Sequence, residues 1–426
     1  MVGKKPQSNI VIAQLGSRQD YTVPVALQEA GVLERFYTDV YVSPAEARLL
    51  RSLLKASLAG RLAVNALSRH NPSLDFTKVV RFPKLGWQYE KALRQSASSV
   101  EAQYGAFIEY GRKFNQAIMQ YGLSDSTHLY AFDHAALNLF STSDAGGRKL
   151  VLDQIYPALH EERLEQEEED RWPDWSLAPR SAFYHSSLFQ HWRDIQLEEW
   201  RLADVVIVAS RYSKRALAHT SPEIEHKLKL VPLTVNLDAY RPHQHVRRFK
   251  GERPLRVLFA GTANLRKGLP YLLRAFSEID MSIARLTVAG GIQLSEEKIE
   301  SYREHVDFLG PVPHIRMPHL YRDADVLVFP TISDGFGAVM LEAMATGLPV
   351  ISTDHCGDIV EDGVNGFRIP IRSPEAIADS VNHFVRNPET LESLSAGAIR
   401  TAQRFSLANY QASLCRALDI ETPAVS

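Results

Sequence analysis

Short apolar runs alternate with longer stretches of helical periodicity along almost the whole chain. Residues 10–15, 150–153, 205–209, 228–231, 256–260, 286–289, 306–309, 326–329 and 350–353 read as strands, each a nearly continuous apolar run bounded by turn residues. A strand that is apolar on both faces must be covered on both faces. Separated by helix-length segments, such strands predict parallel sheets with helices on either side. One sheet holding all of them would be unusually wide, so two are expected. An internal echo agrees: residues 203–210 (ADVVIVAS) resemble 324–331 (ADVLVFPT), each a helix end, a buried strand and a loop opening a new helix.

The pattern breaks between Pro232 and Pro254, where turn prolines, Gly251 and the basic residues Arg247, Arg248 and Lys250 show no clean period. The expected organisation is an N-terminal Rossmann-like domain over 1–235 and a linker over 236–253. A second Rossmann-like domain follows over 254–400, and a C-terminal helix over 401–426 crosses back onto the first domain. Two stretches depart from the α/β rhythm. A basic helical insertion is predicted at about 46–115, with Leu49, Leu50, Leu53, Leu54, Leu58 and Leu62 beside Arg48, Arg51, Lys55 and Arg61. The acidic run 161–170 (EERLEQEEED), followed by Trp172 and Trp175, predicts a solvated helix face.

Composition narrows the function classes. At 426 residues the chain is too long for one ordinary core. With 48 Lys+Arg against 50 Asp+Glu, a role in coating nucleic acid is excluded. The two cysteines, Cys356 and Cys415, support neither a disulfide framework nor a cysteine-rich zinc site, and they suit a reducing compartment. No uncharged apolar run reaches the length of a bilayer span, and the apolar stretch after the polar residues Met1 to Asn9 is too short for a signal-peptide core. The expected location is the cytoplasm. The basic, leucine-rich stretch 48–94 reads either as a helix pair over the first sheet or as a peripheral contact with the inner face of an anionic membrane.

Two segments carry chemistry. Ser333-Asp334-Gly335-Phe336-Gly337-Ala338 follows the strand 326–329 and opens a helical pattern containing Glu342. Glycines at a helix N-terminus let backbone amides approach a ligand, and the helix end adds partial positive charge. Carboxylates flanking such an anion site are poor phosphate ligands but good acceptors for sugar hydroxyls. In the second segment the strand 256–260 ends at Gly261, and a loop delivers Arg266 and Lys267 ahead of another helix. Paired cations can neutralise a diphosphate without a metal.

From about Arg256 to Phe367 the chain resembles the nucleotide-sugar-binding half of the retaining GT-B glycosyltransferases of family 4, also called glycosyl transferases group 1. The likeness rests on the glycine-ended strand with Lys267-Gly268, the acid-x7-acid spacing from Asp334 to Glu342, Gly347-Leu348-Pro349-Val350-Ile351, and the block from Gly357 to Gly366. It extends more faintly through Leu152-Asp153-Gln154 and Ala203-Asp204. Two positions depart from the family pattern: Asp334 stands where glutamate is usual, and Thr262 where arginine is usual.

The resemblance implies two Rossmann-like domains whose parallel sheets face each other across a cleft, with a nucleotide-diphosphate sugar held by the second domain. It implies that Glu342 takes the ribose hydroxyls and Asp334 those of the transferred sugar. The amides of Phe336, Gly337 and Ala338 face the sugar and phosphates, Gly261, Arg266 and Lys267 hold the diphosphate, and the base lies by Val312. The acceptor, a glycan, lipid or small molecule, belongs to the first domain. There Gly16, Ser17 and Arg18 form a loop after the first strand, and Asp133-His134 end another. His134 assisted by Asp133 is the candidate for positioning or deprotonating the acceptor; the rival reading makes Asp133 a helix cap and leaves His134 exposed. Asp323-Ala324-Asp325 imitates a metal-chelating pair, but Asp325 precedes its strand, at the end opposite the ligand face. Neither metal nor cofactor is expected. The leading expectation is a retaining glycosyltransferase acting by same-face displacement. A nucleotide-sugar epimerase of the same fold, or a weakly active nucleotide-sugar-binding homologue, is the alternative.

Overall fold

The computed structural model describes residues 8–55, 61–143 and 146–420. The first sheet holds β1 (Ile10–Gln14), β2 (Leu33–Thr38), β3 (Val79–Arg81), β4 (His128–Phe132), β5 (Lys149–Gln154), β6 (Val205–Val208) and β7 (Leu228–Leu230), in the order β3-β2-β1-β4-β5-β6-β7. The second holds β8 (Leu255–Ala260), β9 (Ala284–Ala289), β10 (Val306–Gly310), β11 (Val326–Phe329), β12 (Val350–Ser352) and β13 (Gly366–Arg368), in the order β10-β9-β8-β11-β12-β13. Neighbouring strands in both sheets run parallel. Buried residues along β1, β4, β6, β11 and β12 explain why these strands read as unbroken apolar runs. Chain order reverses between β1 and β4 and again between β8 and β11. In such sheets the carboxyl-end crevice at that reversal is where ligands settle.

The stretch 46–115 is not helical throughout. Helices at Pro44–Lys55, Arg61–Leu67, Pro83–Gln95 and Val100–Tyr121 flank β3, which pairs with β2 at the sheet edge. Leu58 lies outside the described residues. In the segment 236–253, Arg247 is buried and gives its guanidinium to the carbonyls of His245, Tyr321 and Thr346. The helix Leu407–Ala417 returns to the first domain, where Tyr410, Leu414, Cys415 and Leu418 share a core with Tyr21, Val23 and Leu27; residues 421–426 lie outside the described residues.

The acidic run is not a solvated face. It forms the helix Leu159–Arg171, in which Glu161, Glu162, Glu165 and Glu168 are buried. The reason is pairing, since carboxylates enter an interior only with partners. Glu168 accepts from Arg372 Nε at 2.6 Å and from the Tyr271 hydroxyl at 2.7 Å, both in the second domain. Arg180 and the Tyr184 hydroxyl each donate to Glu165 Oε2 at 2.9 Å. Leu164 and Trp172 join the core of the second domain, and Leu177 N donates to the Gln293 carbonyl. This part of the N-terminal sequence is therefore built into the C-terminal core.

Candidate functional site

β11 delivers the loop that opens the helix Ala338–Ala345. Asp334 Oδ1 accepts from Phe336 N at 2.9 Å and Gly337 N at 2.7 Å, while its other oxygen takes the Lys267 ammonium. The amides of Phe336 and Gly337 are thus engaged by Asp334 rather than turned to a ligand. Gly335 is glycine for a different reason from the one expected. A Cβ there would collide with the Ile155 carbonyl and stand 3.3 Å from Tyr156 Cα, so the close approach is between the two domains. Gly337 does need its left-handed backbone, at φ 74°.

Gly261 ends β8 and donates its amide to Ala289 O. Beyond it, Arg266 and Lys267 sit at the same crevice, and each is already paired. Arg266 Nη1 lies 3.1 Å from Glu161 Oε1 and donates to Ser333 O at 3.2 Å. Glu161 Oε2 accepts from Ser333 Oγ at 2.9 Å, and Tyr212, also of the first domain, donates to that hydroxyl at 3.1 Å. Burial and the neighbouring Arg266 hold the Lys267 ammonium below its ordinary range. A diphosphate arriving here meets two cations and must exchange with two carboxylates. Ser333 opens the loop segment read from the sequence without a role of its own there, and Glu161 was not singled out. The only signal for Glu161 was its place in the charged run.

Glu342 projects from the Ala338–Ala345 helix and accepts from the Tyr321 hydroxyl at 2.8 Å. His314 Nε2 stands 3.5 Å from its other oxygen, and that contact raises the imidazole pKa. Close by in sequence, Val312 lines a pocket of about 370 Å³ with Leu309, Pro311, Pro313, Arg316, His319 and Leu320. Apolar walls with a carboxylate beyond them suit a flat base and its ribose.

On the first domain, Gly16, Ser17 and Arg18 follow β1. Gly16 N donates to Asp39 Oδ1 at 3.0 Å, and Gln14 Nε2 donates to the carbonyls of Gly16 and Arg18. The next three residues, Gln19, Asp20 and Tyr21, all have positive φ. Non-glycine residues in that region are strained, and such strain gathers at functional sites. Arg18 Nη1 donates to Asp133 Oδ1 at 3.1 Å, joining two segments that no sequence pattern links. Burial pushes Asp133 up to about 6, with Arg18 pulling against it.

Asp133 neither assists His134 nor caps the following helix; its second oxygen accepts from Gln154 Nε2 at 3.1 Å. The cap is Glu199, from the helix Ser187–Leu202, which accepts from His134 N at 2.7 Å, Ala136 N at 2.8 Å and Leu137 N at 3.0 Å. Burial raises the Glu199 carboxyl to about 8 although those amides favour its anion. His134 has φ 59° and stacks on Trp192, and burial lowers its pKa, so the ring is held uncharged. A neutral imidazole can exchange protons. Asp325 is spent on structure: it accepts from Arg253, from the Arg256 side chain and from Arg256 N, tying the amino ends of β8 and β11 together.

Residues 254–387 match the family model for glycosyl transferases group 1. Among curated proteins, an uncharacterised glycosyltransferase of Methanocaldococcus jannaschii is 35% identical over 137 residues, covering 30% of this chain and 35% of that protein. The D-inositol 3-phosphate glycosyltransferase of Streptomyces griseus is 37% identical over 123 residues, 28% of this chain and 25% of that protein. That of Segniliparus rotundus is 30% identical over 237 residues, 47% of this chain and 53% of that protein. The chain thus spans between a quarter and about half the length of these relatives. Among solved structures, Anabaena Alr3699/HepE in complex with UDP superposes with a TM-score of 0.58 at 15% identity, covering 97% of this chain and 99% of that one. WaaG, a glycosyltransferase involved in lipopolysaccharide biosynthesis, gives 0.59 at 14%, covering 97% and 100%. At these identities the likeness concerns the fold. It is GT-B, two Rossmann-like domains with parallel sheets.

Proposed function

We propose that the chain is a retaining glycosyltransferase, which moves a sugar from a nucleotide-diphosphate donor in the second domain to an acceptor hydroxyl in the first. The observation that carries this reading is the grouping of Arg266, Lys267 and Asp334 at the crevice of the second sheet, inside the segment that matches the group 1 family model. As the sugar leaves, negative charge develops on the diphosphate. Arg266, Lys267 and the N-terminus of the Ala338–Ala345 helix lie where that charge develops and can receive it once the two cations exchange Glu161 and Asp334 for the ligand; electrostatic stabilisation of this kind is the usual main source of acceleration. Glu342 and the Val312 pocket would take ribose and base, and Asp334 a hydroxyl of the transferred sugar. His134, neutral and partly buried, would position or deprotonate the acceptor. Displacement on the same face of the sugar fits this set of residues, and none of the steps uses a metal.

UDP and UDP-glucose, which are bound in crystal structures of HepE, are the donor probes to begin with. The relatives named above are glycosyltransferases, which favours transfer over epimerisation. We further propose a cytoplasmic protein whose basic helix Pro44–Lys55, with Leu49 exposed, lies on anionic lipid. Among the described residues no helix is long and apolar enough to cross a membrane. The reading is tested by incubating the protein with UDP-glucose and a panel of acceptor sugars. Release of UDP that depends on an acceptor, with α-linkage retained in the product, is expected; acceptor-independent interconversion of the bound sugar would overturn transfer.

A further inference from the structure

Beyond the edge strand β10, a short turn at His314–Arg316 joins two features of the second domain. His314 Nε2 stands 3.5 Å from Glu342 Oε1, the carboxylate assigned to the ribose. Two residues on, Arg316 lines the pocket of about 370 Å³ assigned to the base. The turn is held in place. Arg316 N donates to the Pro313 carbonyl at 2.8 Å, and Met317 anchors the next residue in the core. Pro311, Pro313 and Pro318 restrict the backbone on either side. Other arginines of this domain are spent on carboxylates, Arg322 on Asp323 and Arg253 and Arg256 on Asp325. Among the described residues Arg316 has no such partner, and it is exposed at the pocket.

Its place argues for a base rather than a phosphate. Arg266 and Lys267 follow β8, and β9 lies between β8 and β10. Neighbouring strands are about 4.8 Å apart, so β10 stands roughly 10 Å from β8, the reach of a nucleotide from its second phosphate to its base. Apart from His319, whose ring meets that of His243 edge-on, the other side chains lining the pocket are aliphatic or proline. Arg316 is therefore the permanently charged group in this wall. A guanidinium donates hydrogen bonds and accepts none. Uracil O4 and guanine O6 can accept from it. Cytosine and adenine carry an amino group at the same position, which would set N–H against N–H.

We propose that Arg316 selects the base of the donor, favouring the keto bases uracil and guanine over the amino bases cytosine and adenine. The inference rests on the donor reading above and adds the means by which the site chooses its nucleotide.

Calorimetry with UDP, CDP, GDP and ADP tests it on two pairs matched in ring size. A charge-assisted hydrogen bond at an exposed group changes affinity about tenfold. The wild type should prefer UDP to CDP by that factor, and GDP to ADP likewise if the pocket takes the larger ring. Arg316→Ala should bring the members of a pair within about twofold by weakening the keto base. Arg316→Gln, whose amide both donates and accepts, should close the gap by improving the amino base. Equal binding within both pairs by the wild type, or a preference for the amino base, overturns the inference and leaves the donor site standing. So does a preference that survives Arg316→Ala, or an equal loss for all four nucleotides in that variant, which a phosphate contact would give. Wild-type protein that binds none of the four overturns the donor reading and this inference with it.

Discussion

Arg266 of the second domain and Glu161 of the first meet at 3.1 Å, at the position where a diphosphate is expected to bind. The carboxylate competes with the ligand for the cation. Glu161→Gln keeps the shape and the hydrogen bond to Ser333 but removes the charge, so UDP should bind more tightly, by about three- to tenfold by calorimetry. Weaker binding would mean that Glu161 holds Arg266 in its productive place and is not a competitor.

Glu342 is the second donor-side test. A carboxylate taking two ribose hydroxyls makes charge-assisted bonds of roughly 1.5–3 kcal/mol each. Glu342→Ala should weaken UDP by at least about tenfold, while circular dichroism stays that of the wild type. Unchanged affinity would remove the ribose assignment. In the same assay Lys267→Ala should cost more activity than Asp325→Ala, whose effect should fall on melting temperature because Arg253 and Arg256 lose their shared partner. Transfer should survive EDTA; abolition by chelation and rescue by manganese would contradict the metal-free scheme.

Buried carboxyls of the first domain give a pH signature. Burial raises Glu199 to about 8 and Asp153 and Glu162 to about 7. A carboxyl with a higher pKa folded than unfolded holds its proton better in the folded state. Its contribution is full below the unfolded value near 4.5 for glutamate and is lost as pH rises through the folded one. The urea midpoint should therefore fall between about pH 5 and pH 8. Glu199→Gln should flatten that slope while keeping most of the cap, whereas Glu199→Ala should destabilise at every pH by leaving the amides of His134, Ala136 and Leu137 unpaired. A midpoint that rises over this range in the wild type would contradict the assignment.

The helix Pro44–Lys55 supplies the membrane test. Sedimentation with vesicles containing anionic phosphatidylserine should exceed that with neutral phosphatidylcholine and should fall as salt is raised, since surface charge is screened within about 8–10 Å at 0.1–0.15 M. Equal recovery with both vesicles would leave the helix as ordinary cover for the first sheet.

How much of this was legible in the sequence follows from what makes a pattern local. β11 and β12 could be read because strands covered on both faces are apolar at every position. β2 was passed over because Glu34 and Arg35 interrupt its apolar residues, and β3 because three half-buried residues at a sheet edge carry almost no period. The loop from Ser333 to Ala338 and the Arg266-Lys267 pair were visible as types. Their partner Glu161 was not, nor was the role of Glu199 on the amides of His134, Ala136 and Leu137, since both reach their contacts from distant positions and a carboxylate does not announce whether an arginine, an amide row or water will meet it. The acidic run was misread for that reason: its spacing is that of an exposed helix, and only the tertiary fold supplies Arg372, Tyr271, Arg180 and Ser333. The cap on the helix Leu137–Ser143 was sought at Asp133, four residues before its start, and comes from the helix Ser187–Leu202, with one strand, β5, in between.

Because Leu164 and Trp172 are buried in the core of the second domain, the chain passes between the two halves three times: through this acidic helix, through the segment around Arg247, and through the return to the Leu407–Ala417 helix. A polypeptide ending at residue 235 would carry Leu164 and Trp172 into water, forfeiting roughly 1.5–3 kcal/mol for each, and would also lose the partners of Glu161 and Glu168. Neither half has the complete interior of a free-standing domain. Heating the intact protein should accordingly give one calorimetric transition, and the two halves should recover solubility only when produced together.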